Sequence, residues 1–276
     1  PRRPHMWENA SRTGLEQMYD PILRGTDGRQ CVYVTPAGTP VALGPYTAPR
    51  RGSTVGLTLD MGLQRKLTRE LATVLLGVPG QPRGDLGGSV VLDPRNGQVL
   101  AMASLPGYDS RVFGPPVHNR ELGRLAHAPA SPMLEHVTQV AAPPGSTFKL
   151  VVAAANMRRG LVSPYQVLPG GGAWTLGNHT FHNWMTLPAQ DLPQAIAWSN
   201  DVYFYQLAWA LGPGPIIRTA HSLGVGRPTG IDLPGETGGY LGTPASVTRG
   251  GGTWYPGSTV ILDGGSTALH LAQHIR

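Results

Sequence analysis

Helical spacing dominates the apolar pattern of this chain. Leu63, Leu67, Leu71 and Leu75 recur every fourth residue, with Asp60 ahead as an N-cap and Gly77 and Pro79 behind; this predicts a helix between those stops. Over residues 146–157, Phe148, Val151, Val152 and Ala155 share one face, and Ala153 and Ala154 favour the helical state. Three more helices are predicted over residues 192–197, 202–210 and 215–223. The middle one carries apolar Tyr203, Phe204, Leu207 and Ala208. A shorter helix is expected within residues 7–19, and another starting near Thr267.

Strand signals are fewer. Residues 89–92 and 98–103 flank Asp93-Pro94-Arg95-Asn96-Gly97, a turn whose Asn-Gly pair supplies the backbone freedom of a β-hairpin. Residues 31–34 predict a strand, and residues 55–59 alternate weakly as another. Residues 104–145 hold seven prolines and little periodicity, too long for a passive connection, so a lid or the border of a site is expected there. Residues 170–190, with glycine, histidine and tryptophan, read as a loop. Residues 224–276 are rich in Gly, Thr and Pro. The expected class is α+β, a hairpin or sheet beside a helical cluster.

Composition narrows the function classes. Hydrophobic residues make up 40% of the 276 and charged residues 14%, which excludes a disordered polyampholyte and a long exposed coiled coil. Gly 38 and Pro 27 without a collagen period imply many turns. Lys+Arg 22 against Asp+Glu 16 gives a net charge of +6, suited to anionic lipid or an acidic wall polymer. Arg2-Arg3, Arg50-Arg51 and Arg158-Arg159 are isolated doublets, so no nucleic-acid partner is expected. The single cysteine, Cys31, excludes an intrachain disulfide and a cysteine metal cluster. No run of 18 apolar residues and no signal peptide is present. Pro1 is not a translation start, so the chain is expected to be processed or cropped, with room for an anchor upstream.

One cluster of residues carries chemistry. Pro143-Pro144-Gly145 stops the chain and a helix begins at once at Ser146-Thr147-Phe148-Lys149. That S-x-x-K spacing puts a hydroxyl and an amine on one helix face. A serine needs a base at hydrogen-bond range, and a lysine serves when burial or positive neighbours leave it neutral. The other reading is an N-cap serine with a surface lysine. Lys66 is the only other lysine in the chain, which sharpens the first reading. Trp198-Ser199-Asn200-Asp201 lies between two predicted helices, where Ser199 and Asp201 reach one site or simply cap the next helix.

These residues resemble the transpeptidase domain of class B penicillin-binding proteins, in particular the elongation-type branch; S-x-x-K with a later S-x-N or S-x-D is an active-site signature. The likeness covers most of residues 11 to about 262. It includes Ser11-Arg12-Thr13-Gly14-Leu15, Leu57-Thr58-Leu59-Asp60, Val91-Leu92-Asp93-Pro94, Asn119-Arg120, Tyr203-Phe204-Tyr205-Gln206 and Thr229-Gly230-Ile231-Asp232-Leu233-Pro234-Gly235-Glu236. The resemblance implies a penicillin-binding, serine β-lactamase-like transpeptidase fold. Residues 1–85 would form the end of a pedestal or linker with an opening helix, and residues 86–276 the transpeptidase domain.

By the same resemblance Ser146 is the acylated nucleophile, Lys149 its general base, and Ser199 with Asp201 the second motif. Asn200, Thr147, Trp184 and Asn119 are the residues expected to bind substrate. The implied substrate is the D-Ala-D-Ala end of a peptidoglycan stem peptide, mimicked by β-lactams. No cofactor is implied. A membrane-embedded glycan polymerase is an implied partner, and the extracytoplasmic face of the bacterial cell membrane the implied location.

The family's third motif, K-[ST]-G, has no counterpart, since no lysine follows Lys149. Asp263-Gly264-Gly265-Ser266-Thr267-Ala268-Leu269 stands where the family has a Gly-Gln-Gly turn and a helix. The resemblance therefore implies a truncated or divergent member. The alternative is a non-catalytic relative acting as a scaffold in wall assembly. His118, His127 and His136, spaced by nine, and His179 with His182 lack an H-E-x-x-H context, so no metal is expected. Trp174 and Trp184 either line a peptide groove or pack in the core.

Overall fold

The computed structural model describes residues 14–77, 84–113, 119–263 and 267–268. Helix α1 (Gly14–Leu23) leads into a hairpin of β1 (Arg29–Val34) and β2 (Pro40–Thr47). The first half of the helix expected within residues 7–19 lies outside the described residues. Tyr19 on α1 donates its hydroxyl to Asp232 Oδ2 at 2.7 Å. That hydrogen bond, with some desolvation, holds the Tyr19 phenol above its ordinary pKa.

Helix α2 (Met61–Leu76) starts where Asp60 accepts the Leu63 N–H and stops at Gly77, both as the sequence predicts. Its leucine stripe is half-buried against the hairpin of β3 (Gly87–Leu92) and β4 (Val99–Leu105). Gln64 completes the contact: its amide donates to Met102 O at 2.8 Å and accepts from Met102 N at 2.9 Å. A side chain thus satisfies ladder groups that the two-stranded sheet leaves open. In the β3–β4 turn, Arg95 holds the Asp93 carboxyl below its ordinary pKa through side-chain and backbone hydrogen bonds. Residues 55–59 form no strand. The segment is tied to β4 by the Thr58 hydroxyl on Val99 O, and the next residue by Asp60 N on Leu100 O, too few for a ladder.

The segment over 104–145 is built rather than passive. A 3-10 turn (Ser110–Phe113) and helix α3 (Asn119–Ala126) occupy its first half. Downstream, Glu135 accepts from the N–H groups of Val137 and Thr138. Gln139 donates to Pro234 O, and Thr237 N donates to Thr138 O. Buried His136 uses one ring nitrogen on Ser104 Oγ and the other on Ala130 O.

A second 3-10 turn (Gly145–Phe148) precedes α4 (Lys149–Arg159); the sequence predicts one continuous helix there. Tight 3-10 turns at helix starts leave fewer orphan N–H groups. Residues 170–190, expected to be loop, form instead the hairpin of β5 (Gly171–Leu176) and β6 (His179–Leu187). Then come α5 (Leu192–Ala197), α6 (Asp201–Leu211) and α7 (Pro213–Ser222). The last part holds β7 (Tyr240–Leu241), α8 (Pro244–Arg249), α9 (Pro256–Val260), a 3-10 turn (Ile261–Asp263) and β8 (Thr267–Ala268). Thr267 pairs with Leu241 in a strand rather than opening a helix, and residues 269–276 lie outside the described residues.

The core is the helical cluster. Phe148, Val152 and Ala155 meet Tyr203, Phe204, Leu207, Ile216 and Ala220, all of them buried. Helix α6 is apolar nearly all round because α4, α7, α9 and the β5–β6 hairpin surround it. Among the described residues, its Tyr203 hydroxyl is the buried side-chain atom without a hydrogen-bond partner. Desolvation, with a smaller contribution from Asp191, pushes that phenol's pKa up. Tyr203→Phe is therefore expected to leave stability unchanged or raise it by about 1 kcal/mol. A lowered thermal midpoint would mean that the hydroxyl is satisfied in solution.

Candidate active site

The site forms where α4 begins and where α5 hands over to α6. Gly145 takes a left-handed φ of 57°, which lets Pro143-Pro144 turn sharply into the helix start. The Thr147 hydroxyl donates back to Pro144 O at 2.7 Å and secures that turn. A 3-10 turn has three residues per turn, so side chains at i and i+3 align. Ser146 and Lys149 stand in that relation, with Ser146 exposed at the mouth and Lys149 only 3% exposed beneath it.

Lys149 reaches across to the α5–α6 junction. Its Nζ donates to Ser199 O at 2.8 Å, to Ser199 Oγ at 3.0 Å and to Asp201 Oδ1 at 2.5 Å. Three acceptors use all three protons of an ammonium group. The Nζ also lies 5.7 Å from the centre of the Phe204 ring, where a ring face favours a cation. A lysine this buried needs such pairing, because an unpaired charge there is costly. Among the described residues, the Ser146 side chain makes no hydrogen bond, and the residue is exposed.

The junction itself has an identifiable cap. Asn200 N donates to Ala195 O and Ser199 N to Ile196 O, the paired bonds of a Schellman motif. The residue after the helix cap in that motif is left-handed and most often glycine. Here it is Ser199, at φ 51°. Asn200 then caps α6 by accepting the Tyr203 N–H. Asp201 follows in the first turn of α6, where a negative charge suits the helix dipole.

The other expected substrate contacts sit in different settings. Trp184 is 60% exposed, and its indole N–H donates to Trp198 O at 3.0 Å, beside the Ser199 turn. Thr147 is exposed next to Ser146. Asn200 is fully buried and its amide bonds other protein groups. Asn119 opens α3, and no hydrogen bond joins it to the Lys149 cluster among the described residues. Trp174 packs against Phe181 at 6.3 Å between ring centres. No group of three or more His, Cys, Asp or Glu side chains is placed to hold a metal among the described residues; His118 lies outside them.

Comparison with known proteins decides the lineage. The family model described as the penicillin-binding protein transpeptidase domain matches residues 87–255. The chain belongs to the penicillin-binding protein transpeptidase family. Its relatives place it in the class B, elongation-type branch. The peptidoglycan D,D-transpeptidase MrdA of Haemophilus influenzae is 34% identical over 230 residues, which cover 82% of this chain and 34% of that protein. Among solved structures, the penicillin-binding protein PBP2 of Helicobacter pylori in complex with MreC superposes with a TM-score of 0.83 at 25% identity, covering 95% of this chain and 48% of that one. A peptidoglycan synthase complex that coordinates polymerization and crosslinking contains a chain matching at 32% identity and a TM-score of 0.79, over 94% of this chain and 47% of its own.

The chain thus spans about a third of the length of that curated relative and about half of those solved chains. The penicillin-binding α+β transpeptidase fold expected from the sequence is the fold of these neighbours. No described helix of this family member is long and apolar enough to cross a membrane.

Sequence reasoning did not find Asn183 and Gln190. Asn183 Oδ1 accepts the Asp201 N–H at 3.2 Å, and its amide nitrogen donates to Asn200 Oδ1 at 2.9 Å. Gln190 accepts from Asn200 Nδ2 at 2.9 Å. No sequence signal marks them, because isolated amides carry no motif.

Proposed function

We propose that this chain carries the reaction centre of a serine D,D-transpeptidase of peptidoglycan synthesis. The observation that carries the reading is the convergence of two motifs, with Lys149 bonded to Ser199 and Asp201 from 50 and 52 positions away in the sequence. In this reading residues 86–276 hold the chemistry and residues 1–85 lead into it.

The reaction begins when Lys149 Nζ, as the general base, accepts the Ser146 hydroxyl proton. Ser146 Oγ then attacks the carbonyl of the penultimate D-Ala of a stem peptide. The ammonium so formed is stabilised by Ser199 O, Ser199 Oγ and Asp201, the groups that bond Nζ in the unreacted chain. The Ser146 backbone N–H is one donor to the tetrahedral oxyanion. Ser199 Oγ, bonded to Nζ, passes a proton to the departing D-Ala amine as the C–N bond breaks, which leaves an ester on Ser146. An amine from a neighbouring stem peptide attacks that ester, gives its proton to the same base, and releases Ser146 as the crosslink forms. A β-lactam enters the same first step, but its ring opening leaves the enzyme acylated.

Trp184 and Thr147 border Ser146 and Ser199 and are assigned to peptide contact, as is Asn119 through family likeness. The proposed location is the extracytoplasmic face of the cell membrane, next to a membrane-embedded glycan polymerase. The likeness to a chain of a peptidoglycan synthase complex that coordinates polymerization and crosslinking supports this reading.

The test is intact-mass analysis of the full-length protein after incubation with a labelled penicillin. One adduct is expected on the wild type and none on folded Ser146→Ala. A folded wild type that takes up no label would leave the scaffold alternative in its place.

A further inference from the structure

The geometry points to Asn183 as a positioning residue for the reaction centre, acting through a chain of side-chain amides that runs from Gln190 through Asn200 to Asn183 and ends on the Asp201 N–H. The inference rests on the acyl-transfer reading above but concerns groups outside both motifs.

The chain of contacts is continuous. Gln190, 4% exposed, accepts from Asn200 Nδ2. Asn200 Oδ1 accepts from both Asn183 Nδ2 and the Tyr203 N–H. Asn183 Oδ1 accepts the N–H groups of Asp201 and Trp184, and its amide nitrogen also reaches Gly171 O at 3.2 Å. Both ends of the Asn183 side chain are therefore committed, the donor to one strand and one cap, the acceptor to the helix that carries Asp201. The β5–β6 pairing is irregular here, passing from Gly171 opposite Leu187 to Ala173 opposite His182. Such an irregularity frees a strand residue to aim inward. Asn183 uses it, and is half-buried between exposed His182 and Trp184.

The chain of amides matters because the turn it holds is not at a backbone minimum. Ser199 sits at φ 51°, a conformation that persists only where surroundings over-determine it. The Schellman bonds hold the turn from the α5 side, and the amides hold it from the β6 side. Ser199 Oγ and Asp201 Oδ1, both bonded to Lys149 Nζ, ride on that turn. A buried amide left half-paired loses its value as a restraint. In this view Asn200 serves the site from below, as the middle of the restraint, rather than at the substrate. Asn183 touches no reacting atom and acts only through Asp201 and Asn200.

The test uses the full-length protein with two variants. Asn183→Ala removes both functions of the amide. Asn183→Asp keeps the acceptor for Asp201 N–H but restores a donor to Asn200 only when its carboxyl is protonated. Acylation by a labelled penicillin is followed at saturating concentration and across pH, and Asp201 amide hydrogen exchange is followed without ligand. The expected result for Asn183→Ala is a saturating rate lowered by about 10- to 100-fold, the range for small misplacements, with the ligand dissociation constant unchanged. The Asn183→Asp rate, as a ratio to wild type, is expected to rise as pH falls, and the Asp201 amide should exchange faster in both variants near neutral pH. An unchanged saturating rate with normal Asp201 protection would overturn the assignment, as would a flat ratio across pH for Asn183→Asp. If the wild type takes no label, acyl transfer is what fails, and Asp201 exchange alone then decides whether Asn183 holds the turn.

Discussion

Lys149→Arg is expected to slow penicillin acylation of the full-length protein by about 10²- to 10⁴-fold, the range assigned to a general base. The substitution keeps a positive charge opposite Asp201 and several donors for Ser199. It removes the one property the mechanism needs, since a guanidinium does not give up its proton near neutral pH. Lys149 is 3% exposed, so the larger side chain is also expected to cost about 1–3 kcal/mol of stability through overpacking. Lys149→Met separates the two effects. It fits the volume better, lacks the amine, and leaves Asp201, whose side chain is 22% exposed, partly hydrated. Both variants should fold and both should fail to acylate at the normal rate. Acylation of folded Lys149→Arg at the wild-type rate would mean that residue 149 supplies charge and not proton acceptance.

The second large effect divides stability from activity at one position. Ser199 occupies the left-handed place in the Schellman motif that ends α5, where a side chain costs about 1–2 kcal/mol relative to glycine. Ser199→Gly and Ser199→Ala both delete the hydroxyl that Lys149 bonds at 3.0 Å. Acylation is expected to fall by a similar factor in both, about 10²-fold or more for loss of a proton relay. Stability is expected to diverge, with the glycine variant more stable than the alanine variant by about 1 kcal/mol. Chemical denaturation of the pair measures this directly, because the lost hydroxyl cancels in the comparison. Equal midpoints would show that residue 199 is not left-handed in solution. If Ser199 relays the proton as proposed, a serine where glycine fits better is stability given up for chemistry, a known trade at functional sites.

Much of the fold was legible because its strongest elements announce themselves locally. The four leucines of α2 and the Asp60 cap are local signals, as are the Asn-Gly turn of β3–β4 and the apolar run of α6. The β5–β6 hairpin was not legible. Its inward positions on β6 include Asn183, its outward ones include His182 and Trp184, and glycines open β5, so no apolar alternation survives to be read. Residues 55–59 misled in the opposite sense, since alternation without a partner edge gives extended chain and no sheet. The short helices α8 and α9 begin at Pro244 and Pro256 within glycine-rich sequence too brief for periodicity. At the site, Ser146, Lys149, Ser199 and Asp201 stood out because their types and spacing imply proton transfer. Asn183 and Gln190 did not, since only the folded hairpin brings their amides under Asn200.

The Lys149 contacts also bear on how the molecule folds. Ser146 and Lys149 are local to each other, and so are Ser199 and Asp201, but the contacts between the two pairs span 50 and 52 positions, across α4, the β5–β6 hairpin and α5. Closing such loops is an entropic cost that long-range packing must repay late on the route from the unfolded chain. If Ser146 is acylated as proposed, its labelling would count native molecules rather than merely compact ones, and a β-lactam fluorophore would then serve as a conformational probe during refolding.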